Sequence, residues 1–225
     1  MAAMSKLLRH NVLEIAADLD RPFLIANVAH IDDVLVGVYI CEGALKWHKH
    51  MDIDELFWVC DGTMLLESER GDVRLGPDEL AVVPKGTRHR SSSAGRATVL
   101  LLRCGFMANR KNGNRQLYAA GRDGLPHANI RHTAETAPTP FRFYNIAQFE
   151  DSRVQIARGS GRWPVDLPVA HDRMLYVTKG SVTVRTVRDR LRLGSGDFTV
   201  VSRGAFYHLY SDQDTLLVQV TRRVL

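Results

Sequence analysis

The stretch KWHKHMDIDELFWVCDG, residues 46–62, places His48 and His50 one residue apart, adds Glu55 four residues later, and runs directly into the apolar segment ELFWVC. In an extended chain, residues two apart share a face, so both imidazoles can aim at one point; Glu55 returns to that point if MDID bends. ELFWVC (55–60) itself reads as a strand. So do VLVGVYIC (34–41), TMLLES (63–68), ELAVVP (79–84) and ATVLLLRC (97–104), all short, rich in β-branched or aromatic residues, and punctuated by Gly, Asp or Pro. Many short strands at close spacing predict an all-β chain, a barrel or a sandwich. The segment SKLLRHNVLEIAADL (5–19) allows one short N-terminal helix.

Internal similarity sets the domain count. DELFWV with Gly62 aligns with DRMLYV (172–177) with Gly180, an offset of 118 residues. At the same offset RLGPDELAVVPKG (74–86) meets RLGSGDFTVVSRG (192–204). Two blocks sharing one offset without a gap predict two small β-barrels in tandem, over residues 1–104 and 141–225, with 105–140 as their connection.

His89 closes PKGTRH, where Pro84 and Gly86 mark a strand end and a turn. Three imidazoles and a carboxylate suit one divalent first-row transition metal, with the choice among Fe, Mn, Zn and Ni open. An octahedral ion so held keeps two positions for water or substrate. The spacing His48-x-His50-x4-Glu55-x6-Gly62, followed by Pro84-x-Gly86-x2-His89, resembles the two motifs of the cupin superfamily. That resemblance implies jelly-roll barrels, the metal ligands His48, His50, Glu55 and His89, and a two-domain bicupin chain. The departures are Gly43, one residue too near His48, Asp78 in place of a glycine, and Ser93 in place of an asparagine. They touch turns and leave the ligands intact.

Shifting by 118 puts Asp166 at His48, Pro168 at His50, Arg173 at Glu55 and Tyr207 at His89. Proline has no side-chain donor and arginine repels a cation, so the second barrel should hold no metal. Arg173 either pairs with Asp166, holds an anion or reaches solvent. His171 and His208 miss the register and read as ordinary polar residues. Glycines 62 and 86 recur as 180 and 204, which points to turn geometry. Asp54 recurs as Asp172 although the ligands do not, so it reads as a strand-start or turn residue, and Glu55 as the functional carboxylate.

The resemblance implies a metal-dependent enzyme acting on a small organic metabolite, with oxygenase, isomerase, decarboxylase and lyase chemistries in range and Glu55 as fourth ligand or catalytic acid/base. The alternatives are a non-catalytic sugar- or metabolite-binding module and a purely structural protein. Trp47, Phe57 and Trp58 lie near the site, and alternation lets only one of the last two face it. Three cysteines (Cys41, Cys60, Cys104), odd in number and each at the end of an apolar run, suit buried free thiols. Four of the five net positive charges fall in residues 104–132, where Arg110, Lys111, Arg115, Arg122 and Arg131 face Asp123 alone; with no helix periodicity and no DNA-reading motif, this reads as a solvated linker and not as a nucleic-acid surface. Residues 1–10 lack a signal-peptide core, and no uncharged apolar run reaches the ~18 residues that cross a bilayer, so a cytoplasmic protein without membrane contact is expected. The barrels can pair with each other or through sheet edges in a homodimer; the sequence leaves both open.

Overall fold

Leu56, Phe57, Trp58 and Val59 are all buried, so this strand is apolar on both faces instead of alternating. The computed structural model, which describes residues 6–105, 124–164 and 170–222, shows what covers each face. Leu56 and Trp58 enter a core built by both halves of the chain. Phe57 and Val59 enter the interior of the first barrel. By the same period of two, Asp54 faces the shared core and Glu55 the barrel interior.

The first series of elements is β1 (His10–Asn11), α1 (Val12–Ala17), β2 (Ala26–Ile31), β3 (Val34–Ala44), β4 (Glu55–Asp61), β5 (Met64–Ser68), β6 (Val73–Leu75), β7 (Glu79–Val83) and β8 (His89–Cys104). The second is β9 (His127–Asn129), α2 (Ile130–Glu135), β10 (Tyr144–Phe149), β11 (Ser152–Arg162), β12 (Arg173–Lys179), β13 (Ser181–Thr186), β14 (Arg190–Gly194), β15 (Asp197–Val201) and β16 (Tyr207–Arg222). Each element of the first series recurs 118 residues on, with bounds matching to about one residue. One sheet runs β2-β3-β8-β4-β7-β9, with β5 and β6 attached through β8; the other runs β10-β11-β16-β12-β15-β1, with β13 and β14 attached through β16. Each folds around its own interior core, giving two jelly-roll barrels in tandem. The barrels pack on each other through the shared core, where the Trp58 and Tyr176 rings lie 4.5 Å apart.

The division between barrels differs from the expected boundaries. β1, the first strand of the chain, pairs with β15 of the second sheet, and β9 pairs with β7 of the first. Residues 127–135, expected as part of a connection, are thus a strand and a helix. The reason is a short capping unit. Asn129 accepts from the His132 N–H to start α2, as Asn11 accepts from the Leu13 and Glu14 N–H groups to start α1. Each asparagine also donates from its amide to a carboxylate of the neighbouring strand, Asn11 to Asp197 at 2.8 Å and Asn129 to Glu79 at 3.0 Å. The expected helix over 5–19 is therefore confined to Val12–Ala17. The cations Arg110, Lys111, Arg115 and Arg122, and the second-copy positions Asp166 and Pro168, lie outside the described residues.

Gly62 and Gly180 have φ of 76° and 85°, and a Cβ on either would stand within 2.6 Å of Arg96 O or Thr215 Oγ1. Both positions therefore demand glycine. The departure at Asp78 is also accounted for: it holds φ 62° where the second copy has Gly196 at 82°, a conformation that aspartate tolerates better than most residues.

Asp54 does more than start a strand. Its carboxylate accepts from the Lys85 N–H at 2.9 Å, within the turn before His89, and from the Glu150 N–H at 2.8 Å, across the barrel interface. Glu150 returns the contact by accepting from the Asp54 N–H at 2.9 Å. The second copy repeats this: Asp172 accepts from Arg203 N–H at 2.9 Å and Asp32 N–H at 3.1 Å. Asp32 and Glu150 each hold positive φ, 51° and 47°. Each aspartate thereby fastens the strained turn of the opposite barrel. Replacing Asp54 by Ala strips two part-buried N–H groups of a charged acceptor, so urea denaturation should show a loss of about 1.5–3 kcal/mol, and Asp172→Ala, one of whose bonds is exposed, a smaller loss. A change below roughly 0.5 kcal/mol in both variants, the level of an ordinary surface substitution, would exclude the clip.

Candidate metal centre

His48 and His89 meet as an antiparallel bridge: the His48 N–H donates to His89 O at 3.0 Å and the His89 N–H to His48 O at 2.9 Å. The Gly86 N–H donates to His50 O at 2.6 Å. The PKG turn is thus bonded to the H-x-H segment, which explains how ligands about forty residues apart in sequence share one site. Glu55, the first residue of β4, supplies the carboxylate from the same face as Phe57. All four predicted ligands come together, with one donor atom from each lying within 4.8 Å of the others.

The imidazole tautomers follow from the backbone. His48 Nδ1 lies 2.9 Å from Lys46 O, and His89 Nδ1 lies 3.0 Å from Thr87 O. A carbonyl only accepts, so both Nδ1 atoms carry the proton and both Nε2 atoms turn toward the centre. Such anchoring is how ligating histidines are oriented. Sequence reasoning missed these two anchors because a main-chain carbonyl leaves no residue-type signal; each simply lies two residues before its histidine.

Glu55 Oε2 is 3.1 Å from His89 Nε2 and 3.4 Å from His50 Nε2. Bonds of roughly 2.0–2.2 Å put adjacent donors of an octahedral ion about 3 Å apart and opposite ones about 4.3 Å apart. The observed separations fit that donor set. Burial pushes the Glu55 carboxyl up, but the His89 hydrogen bond and the His50, His89 and His48 rings outweigh it, and the group is held below the usual range. For His89, burial pulls the ring down, while the Glu55 hydrogen bond and the Thr87 carbonyl push it above the ordinary value. With Nδ1 donating to Thr87 and Nε2 facing a carboxylate, His89 holds its second proton more readily than a free imidazole does. His50 is lowered, first by burial, with Glu55 opposing and His48, His89 and Arg103 adding to the lowering.

The cluster is buried at Glu55 and His89 and partly exposed at His48 and His50. The side chains of Glu55 and His89 are 5% and 1% exposed, that of His50 35%. Behind it, the Phe57 ring stands 5.9 Å from the His89 ring, and Tyr39, Met64 and Leu66 continue an apolar interior. Trp58 faces away, into the shared core. Trp47 lies on the outside between the guanidinium groups of Arg88 and Arg90. Burial pushes the Cys41 thiol up to about 11 and the Cys60 thiol up to about 12; these are packed thiols, not nucleophiles.

In the second barrel the pair equivalent to Glu55 and His89 is Arg173 and Tyr207, and Arg173 Nη1 donates to the Tyr207 hydroxyl at 2.6 Å. The position pair keeps its contact while its chemistry differs, a carboxylate and an imidazole in the first barrel and a cation and a phenol in the second. His171 lies 3.3 Å from the Asp32 carboxylate at the barrel interface, and His208 is exposed on the outer face of the second barrel.

Comparison with known proteins agrees with this geometry. Residues 39–103, which carry all four ligands, match the family model for the cupin domain. The uncharacterized protein YdbB of Bacillus subtilis is 32% identical over 91 residues, 40% of this chain and 79% of that protein. Among solved structures, a cupin 2 conserved barrel domain protein from Leptotrichia buccalis superposes with a TM-score of 0.74 at 7% identity, covering 98% of each chain. A salicylate 1,2-dioxygenase from Pseudaminobacter salicylatoxidans does so with a TM-score of 0.74 at 13% identity, covering 99% of this chain and 87% of that one. With the fold, the four converging donors and the family match pointing the same way, the chain belongs to the cupins.

Proposed function

We propose that this chain is a bicupin, the product of a tandem duplication, whose first barrel is a metal-dependent active site for a small organic metabolite and whose second has lost its metal. The reading places the protein in the cytoplasm. The observation that carries it is the convergence of two backbone-anchored Nε2 atoms, His50 Nε2 and a buried carboxylate on one point. His48, His50 and His89 would hold one Fe, Mn, Zn or Ni ion, with Glu55 as fourth ligand or proton acceptor. A bound ion would supply a Lewis acid, or a redox centre where the metal allows.

The residues of the chain do the rest. Glu55 is held ionised at neutral pH, so it acts as ligand or base and not as a proton donor at the start of a cycle. His50, on the open side, is where substrate approaches, and Phe57 gives the apolar wall behind the ring of His89. A substrate with a polar oxygen and a small apolar or aromatic body fits these surroundings, within oxygenase, isomerase or lyase chemistry. The fold shared with the salicylate dioxygenase supports the oxygenase branch only as a fold.

Elemental analysis of untagged protein should find about one equivalent of transition metal per chain, lost in the double variant His48→Ala/His89→Ala. No metal in either protein would sink the site, and two equivalents would refute a silent second barrel. The pH dependence of metal affinity has a definite sign. Because His89 sits above the ordinary imidazole value, protons compete with the metal until pH exceeds that raised value, and below it affinity falls at least about tenfold per pH unit. Glu55→Gln removes the group that raises His89, so the break in a plot of log affinity against pH, measured by calorimetric titration, should move to lower pH. A break that stays in place would show that Glu55 does not control His89.

A further inference from the structure

The outer face of the second barrel differs in charge from that of the first, and the comparison is internal to one molecule. In the first barrel Arg90 stands opposite Glu67 across β8 and β5 and is bound to it by two hydrogen bonds, of 2.7 and 2.8 Å. Asp72 lies beside them at the start of the next hairpin strand. At the equivalent positions 118 residues on stand Arg185, His208 and Arg190. Both carboxylates have become arginines. Arg185 is now directly opposite His208 on one side and Arg190 on the other, and the two facing guanidinium groups repel each other, a repulsion that a bound anion would relieve. Among the described residues no carboxylate forms an ion pair with Arg162, Arg185 or Arg190, whereas Arg192 nearby is paired with Asp212.

This row floors a groove of about 650 Å³, which also contains Phe206 and Tyr210, two aromatic side chains more than half exposed. Tyr210 lies between Arg162 and Thr183 in the neighbouring cross-strand row. The first barrel has Arg88 and Ser92 at the two ring positions; its own exposed ring, Trp47, lies against Arg88 and Arg90, and Arg90 is already paired with Glu67. Strands about 4.8 Å apart spread the three basic groups over roughly 10 Å, the reach of two linked phosphates and not of one. Guanidinium forks match phosphate oxygens, exposed rings stack on a flat heterocycle, and the volume suits a small molecule.

We infer that the outer face of the second barrel binds a nucleoside diphosphate or triphosphate, with the phosphates on Arg185 and Arg190 and the base against Tyr210 or Phe206. A simple anion would leave the rings bare, and a neutral aromatic would leave the arginines uncompensated. The site is independent of the metal centre on the first barrel.

Calorimetric titration of the full chain carrying His48→Ala/His89→Ala, so that no phosphate can bind through the metal centre, tests this with adenosine diphosphate, pyrophosphate, adenosine and a short single-stranded oligonucleotide. Adenosine diphosphate should bind, with pyrophosphate and adenosine each at least about tenfold weaker, since each offers only half of the recognised chemistry. Arg185→Glu/Arg190→Asp, which installs the residues of the first barrel, should lose at least about tenfold in affinity for adenosine diphosphate, and Phe206→Ala/Tyr210→Ala should bring it down to the level of pyrophosphate. All four positions are surface positions, and Arg185→Glu/His208→Arg, which rebuilds the Glu67–Arg90 pair, gives a loss-of-binding variant with a stabilising contact in case the first does not fold. Adenosine diphosphate binding no tighter than pyrophosphate, or binding unchanged in folded charge variants, would overturn the proposal. An oligonucleotide binding tighter than the mononucleotide would overturn it in favour of a nucleic-acid surface.

Discussion

Two-sided burial of one strand in each barrel is the constraint on which the rest of the structure depends. β4 must satisfy a barrel interior with Phe57 and Val59 and an inter-barrel core with Leu56 and Trp58, and a period of two leaves no third face. That parity decides the chemistry at the strand's first residues. Glu55 shares the face of Phe57 and joins the histidines. Asp54 shares the face of Trp58 and crosses to Glu150. A one-residue slip would send the ligand into the interface and the clip into the site, so the apolar register of β4 is also the address of the metal site. β12 repeats the arrangement with Leu175 and Val177 inward and Met174 and Tyr176 in the shared core, and Arg173 accordingly takes the inward position.

The constant offset explains which features the two copies kept. The structural positions recur: Gly62 and Gly180 at crowded turns, Asn11 and Asn129 as caps, Asp54 and Asp172 as clips. The chemical positions do not. Arg173 and Tyr207 stand at the positions equivalent to Glu55 and His89, still in contact but with a cation and a phenol in place of a carboxylate and an imidazole. Fold and site have separated within one chain, the second barrel keeping what the first needs for packing.

Much of this was legible in the sequence, for reasons tied to distance along the chain. The strands and each of the two ligand motifs announce themselves within windows of about fifteen residues, and the repeat shows as one constant offset between such windows. The contacts that fail to show are long-range or main-chain. Asp54 could be seen to recur, but not to reach a backbone N–H 96 residues away. The carbonyls of Lys46 and Thr87 have no residue type to read. His127–Asn129 and Ile130–Glu135 read as linker in the sequence because three and six residues are too few to display a period; their one signal is the match of Asn129 to Asn11 at the common offset. The charge reversal at Arg185 and Arg190 was within reach of the same alignment, but its meaning needed the cross-strand pairing that sets those side chains in one row.

The exchange of β1 and β9 between sheets bears on how the chain assembles during synthesis. The first sheet is incomplete until residues 127–129 have been made, well beyond its own last strand. His10 and Asn11 pair with Phe198 and Asp197, and Asn11 and Asp197 are 186 residues apart along the chain. Neither barrel can close its sheet from its own contiguous segment. Contacts of such sequence separation slow folding, and until they form, the face bearing Trp58, Val36 and Val38 stands uncovered. The two barrels thus share edge strands as well as a core, so the half that carries the His–Glu cluster is completed by pairing and packing with the other half.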